Sequence, residues 1–184
     1  MILGRQGSGK GTQAIRLSER YGVVHISTGD MLRAAVAAGT ELGLRAKAVM
    51  DAGELVSDEI MNGIVAERLT ESDVETGGFL LDGYPRTVGQ AEALAAAAGD
   101  QLSLAINLDV PEAEVMTRMK SRGRTDDTDE AIRTRLALYE AETSPLLAWF
   151  ADRDLLVTVD GLGSEHDVFG RLTSAIDAAM VGQE

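Results

Sequence analysis

The stretch Gly4-Arg5-Gln6-Gly7-Ser8-Gly9-Lys10-Gly11-Thr12 follows a short apolar run at 1–3 and leads into residues of helical spacing at 9–21. Glycines let successive backbone N–H groups converge on an anion, and the N-terminus of the following helix adds partial positive charge. In such a cradle Lys10 reaches the β- and γ-phosphates of a nucleotide, and Thr12 is the nearest hydroxyl for a magnesium shell. The strict phosphate-loop pattern has Ser or Thr directly after the lysine; here Gly11 intervenes. A glycine-rich turn can also be purely structural. The strand–loop–helix setting and the Gly9-Lys10 pair weigh against that alternative.

Outward from this loop, the chain alternates strand and helix signals. Apolar or β-branched runs stand at 1–3, 23–26, 79–81, 104–108 and 155–159, separated by helical spacing at 9–21, 58–69, 87–98 and 112–121. Strands alternating with helices predict an α/β fold, a parallel sheet covered on both faces. Two places break the rhythm. Residues 27–56 hold two short helical stretches punctuated by Gly39, Gly43 and Gly53, too much chain for a simple crossover, so a small subdomain is expected. The second break is 122–127, a polar knot, where Asp126, Asp127 and Asp129 favour the start of the next helix.

Composition narrows the function. At 184 residues and 45% apolar, the chain can bury one core and reads as one domain spanning 1–184. Thirty acidic against 17 basic residues give a net charge of -13, which repels DNA, RNA and anionic membranes. No apolar run approaches the ~18 residues that span a bilayer, and no signal-peptide pattern opens the chain. Cysteine is absent, which excludes disulfides and a cysteine-ligated zinc site; no zinc and a cytoplasmic location are expected.

The scarce basic residues are therefore informative. An apolar strand ends in Asp82, an acid suited to holding magnesium or its waters beside the phosphate loop, and Gly83, Tyr84, Pro85 and Arg86 place a turn and an arginine next to it. Arg33, Arg86, Arg118, Arg122, Arg124 and Arg135 join Lys10 at motif positions, with Arg118 and Arg122 on one helix face. Guanidinium groups grip phosphate with paired donors and stay charged. Arg16, Arg20, Arg45, Arg68, Arg133 and Arg153 read as solvated partners of nearby acids. His25 sits in a strand pattern and reads as core packing.

The sequence resembles adenylate kinases along almost its whole length. The matching blocks run in family order: 4–13, 27–33, 51–56, 82–90 and 122–127, followed by Arg135 and Val159-Asp160-Gly161. The resemblance implies a P-loop NTPase fold, three-layer α/β/α with a five-stranded parallel sheet, and residues 27–56 as the monophosphate-binding subdomain. It implies ATP contacts from Gly7, Ser8, Gly9, Lys10, Gly11, Thr12, Arg118, Arg122 and the backbone near Gly163. On the AMP side it implies Thr28, Arg33, Glu54, Leu55, Val56, Gly83, Tyr84, Pro85, Arg86, Gln90, Arg124 and Arg135. Lys10, Arg86, Arg122, Arg124 and Arg135 would surround the transferring group, with magnesium held by Asp82 and Thr12 through water; Asp126 and Asp127 match family acids that hold these arginines, with helix capping as the alternative role. Reversible transfer between MgATP and AMP, giving two ADP, by a monomer is the activity so implied.

Departures from the family pattern matter too. The extended lid of most members is reduced to 122–128, and Arg5-Gln6 replaces the usual Pro-Pro. The first strand has only three residues before Gly4; either the natural start lies upstream or a shortened central strand is tolerated. No covalent nucleophile or strong base is needed, because the AMP phosphate oxygen is already anionic. Rival readings are a UMP/CMP kinase, a GTP-using relative, and a nucleotide-binding regulatory module without turnover. Thr28 and Gln90 favour AMP, and the set of transfer arginines argues against mere binding.

Overall fold

The computed structural model describes residues 1–124 and 127–181. Five parallel strands, β1 (Ile2–Leu3), β2 (Val24–Ser27), β3 (Phe79–Asp82), β4 (Ala105–Asp109) and β5 (Leu156–Asp160), lie in the order β2-β3-β1-β4-β5. Between and after them run α1 (Lys10–Tyr21), α2 (Thr28–Ala37), α3 (Glu41–Ala52), α4 (Asp58–Leu69), α5 (Ser72–Gly77), α6 (Val88–Ala98), α7 (Glu112–Arg122), α8 (Asp129–Leu138), α9 (Pro145–Ala151) and α10 (Glu165–Val181). A π-helical turn, Tyr139–Thr143, joins α8 to α9. The α/β reading of the sequence holds, with each expected strand within a residue of its place.

Period-two alternation divides the core between the two faces of the sheet. Ile2, Leu80, Ile106, Leu108 and Val159 pack beneath α1 and α10, through Leu17, Val168 and Leu172. Leu3, Ile26, Leu81 and Ala105 face the other way, onto Leu94 of α6, Phe150 of α9 and the helices from α2 to α4. Three layers result. The short β1 occupies the centre and pairs on both sides: Ile2 with Asp82 and Ile106, Leu3 with Asn107. Ile106 N also donates to Met1 O at 2.9 Å, extending the ladder past the strand's own two residues.

A third, smaller core of Val110, Val115, Met119, Ile132 and Leu136 binds α7 to α8. The start of α8 is capped by Thr128, whose hydroxyl accepts from Ala131 N at 3.1 Å. Asp129 sits in its first turn, as expected. Asp127 instead turns to arginines described below, and Asp126 lies outside the described residues.

Within 27–56, α2 and α3 form the pair of helices that the glycine spacing suggests. Their contact depends on Gly43: a Cβ there would stand 2.1 Å from Ala35 O. Gly43→Ala should therefore push α3 off α2. Alanine's better helix propensity favours the variant by only about 1 kcal/mol, while forced overpacking against backbone costs about 1–3 kcal/mol or more. A net loss of stability in urea is the expected outcome; equal or higher stability would mean that the two helices are not packed at this contact.

Candidate active site

In a sheet of this order the connections diverge on either side of β1, which opens a crevice at the carboxyl ends of the strands. The loop after β1 fills it. Gly4 (φ +138) and Gly7 (φ +87) are fixed by close approach: a Cβ on Gly4 would lie 2.5 Å from Leu108 O, and one on Gly7 2.8 Å from Val115 O and 2.9 Å from Met119 Cγ. The loop thus rests directly on β4 and α7 and leads into the start of α1. Ser8 N donates to Arg5 O at 3.1 Å. Lys10 Nζ donates to the same carbonyl at 2.9 Å. Burial pushes the Lys10 ammonium down to about 8; Asp82 opposes the shift, and Arg86 and Arg122 add to it.

Asp82 ends β3 beside this loop. Burial disfavours its charge, yet His25, Lys10 and Arg86 outweigh that and hold its carboxyl below the usual range. His25 is not plain core packing: Nε2 is buried, lacks a hydrogen-bond partner and lies 3.8 Å from Asp82 Oδ2. Gly11 suits the same corner, since a Cβ there would come within 3.4 Å of Asp82 Oδ2. An ionised carboxylate facing open space, with Thr12 lining the same groove, is a hard oxygen donor set that fits magnesium carried by phosphates.

One groove brings together Lys10, Thr12, Arg33, Asp82, Arg86, Arg118, Arg122 and Arg124. Each of several cations is held by a protein acceptor. Arg118 Nε donates to Glu114 Oε1 at 2.7 Å, NH1 to Ser8 O at 3.2 Å and NH2 to Gly161 O at 3.4 Å, which ties α7 to the loop and to the end of β5. Arg33 NH2 donates to Asp30 Oδ1 at 2.5 Å. Asp127 takes two arginines: Arg122 through Nε and NH2, the latter at 2.7 Å, and Arg135 through NH1 at 2.7 Å. Burial works against its charge, but the two guanidinium groups keep its carboxyl below the ordinary value.

A second pocket adjoins the groove at Arg33, Gly83 and Arg86, and is lined by Thr28, Glu54, Leu55, Val56, Gln90 and Arg135. Arg86 Nε donates to Gly83 O at 2.8 Å, and its own carbonyl accepts from Thr143 Oγ1 at 2.8 Å. Gln90 is buried and aimed: Oε1 accepts from Arg86 N at 2.7 Å, and Nε2 donates to Asp58 Oδ1 at 2.7 Å. One N–H and one lone pair of that amide remain for a ligand. Tyr84 and Pro85 are buried beneath, with Tyr84 Oη donating to Asn62 Oδ1 at 2.6 Å. Arg135 NH2 reaches Met50 O at 3.1 Å and so docks the end of α3.

Gly163 stands apart from these residues, on an exposed shallow depression with His166 and Asp167. The sequence reading also missed several partners. Asp58 steadies Gln90 and Thr87. Arg5 is drawn to Glu140, Nε to Oε1 at 3.0 Å, across the loop. Among the described residues Arg16 is not paired with an acid side chain; it donates to Glu165 O at 2.9 Å and lies over the Phe169 ring. Arg68 does pair with Asp73, as expected of a solvated face.

Residues 2–155 match the family model described as adenylate kinase. The chain is 50% identical over 183 residues to the adenylate kinase of Stenotrophomonas maltophilia (strain R551-3), covering 96% of this chain and 97% of that protein. It is 48% identical over 179 residues to the adenylate kinase of Mycolicibacterium smegmatis, covering 96% and 97%. To that of Agrobacterium fabrum it is 48% identical over 193 residues, covering 98% and 96%.

Asp127 gives a pH-dependent test of the arginine cluster. Its folded-state pKa lies below the unfolded value of about 3.9, so its contribution is fully present above that pH and is lost as pH falls through the folded pKa. Asp127→Asn should cost about 1–3 kcal/mol in urea titrations at pH 7. The gap from the parent should narrow progressively below about pH 4. Equal stability at pH 7 would show that Asp127 does not anchor Arg122 and Arg135.

Proposed function

The chain belongs to the adenylate kinase family, and from that premise we propose how its residues divide the work of an ATP:AMP phosphotransferase. The observation that carries the assignment is the junction of two pockets at Arg33, Gly83 and Arg86, one floored by the phosphate loop and the other lined by α2, α3 and the segment after β3. Two polyanions placed in them meet end to end over a set of cations.

In this reading Gly7, Ser8, Gly9, Lys10, Gly11 and Thr12 hold the ATP phosphates. Arg118 and Arg122 cover the same nucleotide, and the backbone near Gly163 lies toward its base. Thr28, Arg33, Glu54, Leu55, Val56 and Gln90 hold AMP, within a subdomain formed by 27–56. The AMP phosphate oxygen attacks the γ-phosphorus as the bridging bond to the β-phosphate breaks, leaving two ADP. Lys10, Arg86, Arg122, Arg124 and Arg135 neutralise the charge on the oxygens in flight, and no proton needs to move. Asp82 and Thr12 would hold magnesium through water, and its charge would offset the repulsion among the phosphates.

The cations are stored in a form the substrates can use. Lys10 on Arg5 O, Arg33 on Asp30 and Arg122 on Asp127 exchange one acceptor for another when phosphate arrives, so binding costs little desolvation beyond that of the ligand. The short segment at 122–128 acts as a reduced lid, with arginine side chains taking over the covering role. The proposed working form is a monomer. No helix among the described residues is long and apolar enough to cross a membrane, and the proposed setting is cytoplasmic.

Lys10→Met tests the donor end. ADP formation should fall by roughly 10²–10³-fold or more, because a charge that stabilises the transition state is lost, while the melting temperature stays near that of the parent. Near-parental turnover would remove Lys10 from the reaction.

Base choice tests the acceptor end. Transfer to AMP should exceed transfer to UMP, CMP or GMP by well over tenfold, since a polar group left unmet in a site is costly. Gln90→Ala should lose this preference more than it loses rate at saturating AMP. Equal use of UMP by the parent enzyme would reject the roles given to Thr28 and Gln90.

A further inference from the structure

We infer that Gln6 contacts substrate directly, its side-chain amide donating a hydrogen bond to the phosphoryl group as it passes between the two nucleotides. This rests on the reading that the groove and the adjoining pocket hold the phosphates of donor and acceptor. Gln6 borders both of them, and also a small cavity behind the loop; among the described residues, only Gly83 and Arg86 share that position. Gly83 has no side chain, and Arg86 Nε is committed to Gly83 O.

The backbone around Gln6 is held from both directions. On one side the Arg5 guanidinium donates to Glu140 and, at 3.3 Å, to Val110 O. On the other, Gly7 is wedged against Val115 and Met119 without room for a Cβ. Only the Gln6 side-chain torsions are left free. Its carboxamide makes no hydrogen bond to protein among the described residues, whereas Lys10, Arg86 and Arg135 around it all do. A neutral amide suits this place. It adds a donor for phosphate oxygen without adding to the repulsion among the cations, and its carbonyl can accept from a neighbouring Lys10 or arginine once those leave their present partners.

The chemistry is that of the transfer itself. The bond from the AMP oxygen to the γ-phosphorus forms while the bond to the bridging oxygen breaks, and the Gln6 proton stays on nitrogen. Its hydrogen bond goes to a non-bridging oxygen of the group in flight, so it strengthens where the two pockets meet and is weak toward either nucleotide alone.

The test compares the parent with Gln6→Ala and with Gln6→Met, which keeps the bulk of the side chain but has no N–H. Both should lower kcat for ADP formation about tenfold, with KM for ATP and for AMP within about twofold. Affinity for two adenosines joined by five phosphates should fall by a similar factor, while affinity for ATP alone is unchanged. Unchanged kcat and mimic affinity in both variants would overturn the inference. A raised KM for AMP with kcat intact would also overturn it, making Gln6 a ground-state ligand. So would loss of slow ATP hydrolysis with transfer unaffected, which would assign Gln6 to water. Failure of the parent to bind the mimic more tightly than ATP would instead reject the two-pocket reading on which the inference rests.

Discussion

Repulsion among cations crowded into one groove is the constraint on which the rest of this structure depends. A protein of net charge -13 could neutralise such a cluster with neighbouring carboxylates throughout, but phosphate would then find no cation available. The solution is partial and graded. Lys10 leans on a carbonyl, not a carboxylate, and is left with an ammonium pushed down to about 8. Arg86 likewise bonds Gly83 O, and burial followed by the nearby Arg135 and Arg33 lowers its pKa while Asp82 opposes. Carbonyls satisfy hydrogen bonds without cancelling charge. The positive field therefore survives around Lys10 and Arg86, while full ion pairs are formed with Asp30, Glu114 and Asp127.

Holding that field in place requires rigidity beneath it. Gly4 and Gly7 let the loop lie on Leu108 and Val115 with no intervening side chain, so the sheet and α7 set the position of the loop. The same logic extends to the adjoining pocket, where Arg86 N, Gln90, Asp58 and Thr87 form one hydrogen-bonded chain. Gly53 shows how the subdomain 27–56 is joined to this frame. In the sequence it only punctuates the stretch, but a Cβ there would sit 2.5 Å from Ala131 O, so it is a tight contact between α3 and α8. Gly39, with nothing within 4 Å, has the freedom that Gly53 lacks.

Much of this was legible in the sequence because its signals are local. The loop 4–12 announces itself by glycine spacing, the strands by apolar runs, and Asp82 by ending one of them. What stayed hidden depends on distant chain segments meeting. His25 looked like a buried strand residue, and only the parallel pairing of β2 with β3 sets it beside Asp82. Asp58 carried no pattern that marks it as the support of Gln90, 32 residues away. Gln6 and Arg5 stood out in sequence only as departures from Pro-Pro. Whether such a departure is a loss or a new contact is decided by what faces it, which no spacing rule encodes.

The short connection between α7 and α8 shows the same dependence on distant contacts. With so few residues there, the link between the groove and the adjoining pocket runs through side chains. Asp127 provides it. It binds Arg122, which lines the groove, and Arg135, which lines the adjoining pocket and also reaches Met50 O at the end of α3. One carboxylate thus sets the position of two guanidinium groups belonging to different pockets, and one of those groups anchors α3. The small core of Val115, Met119, Ile132 and Leu136 supports this arrangement, because it packs α7 against α8 beneath the two arginines.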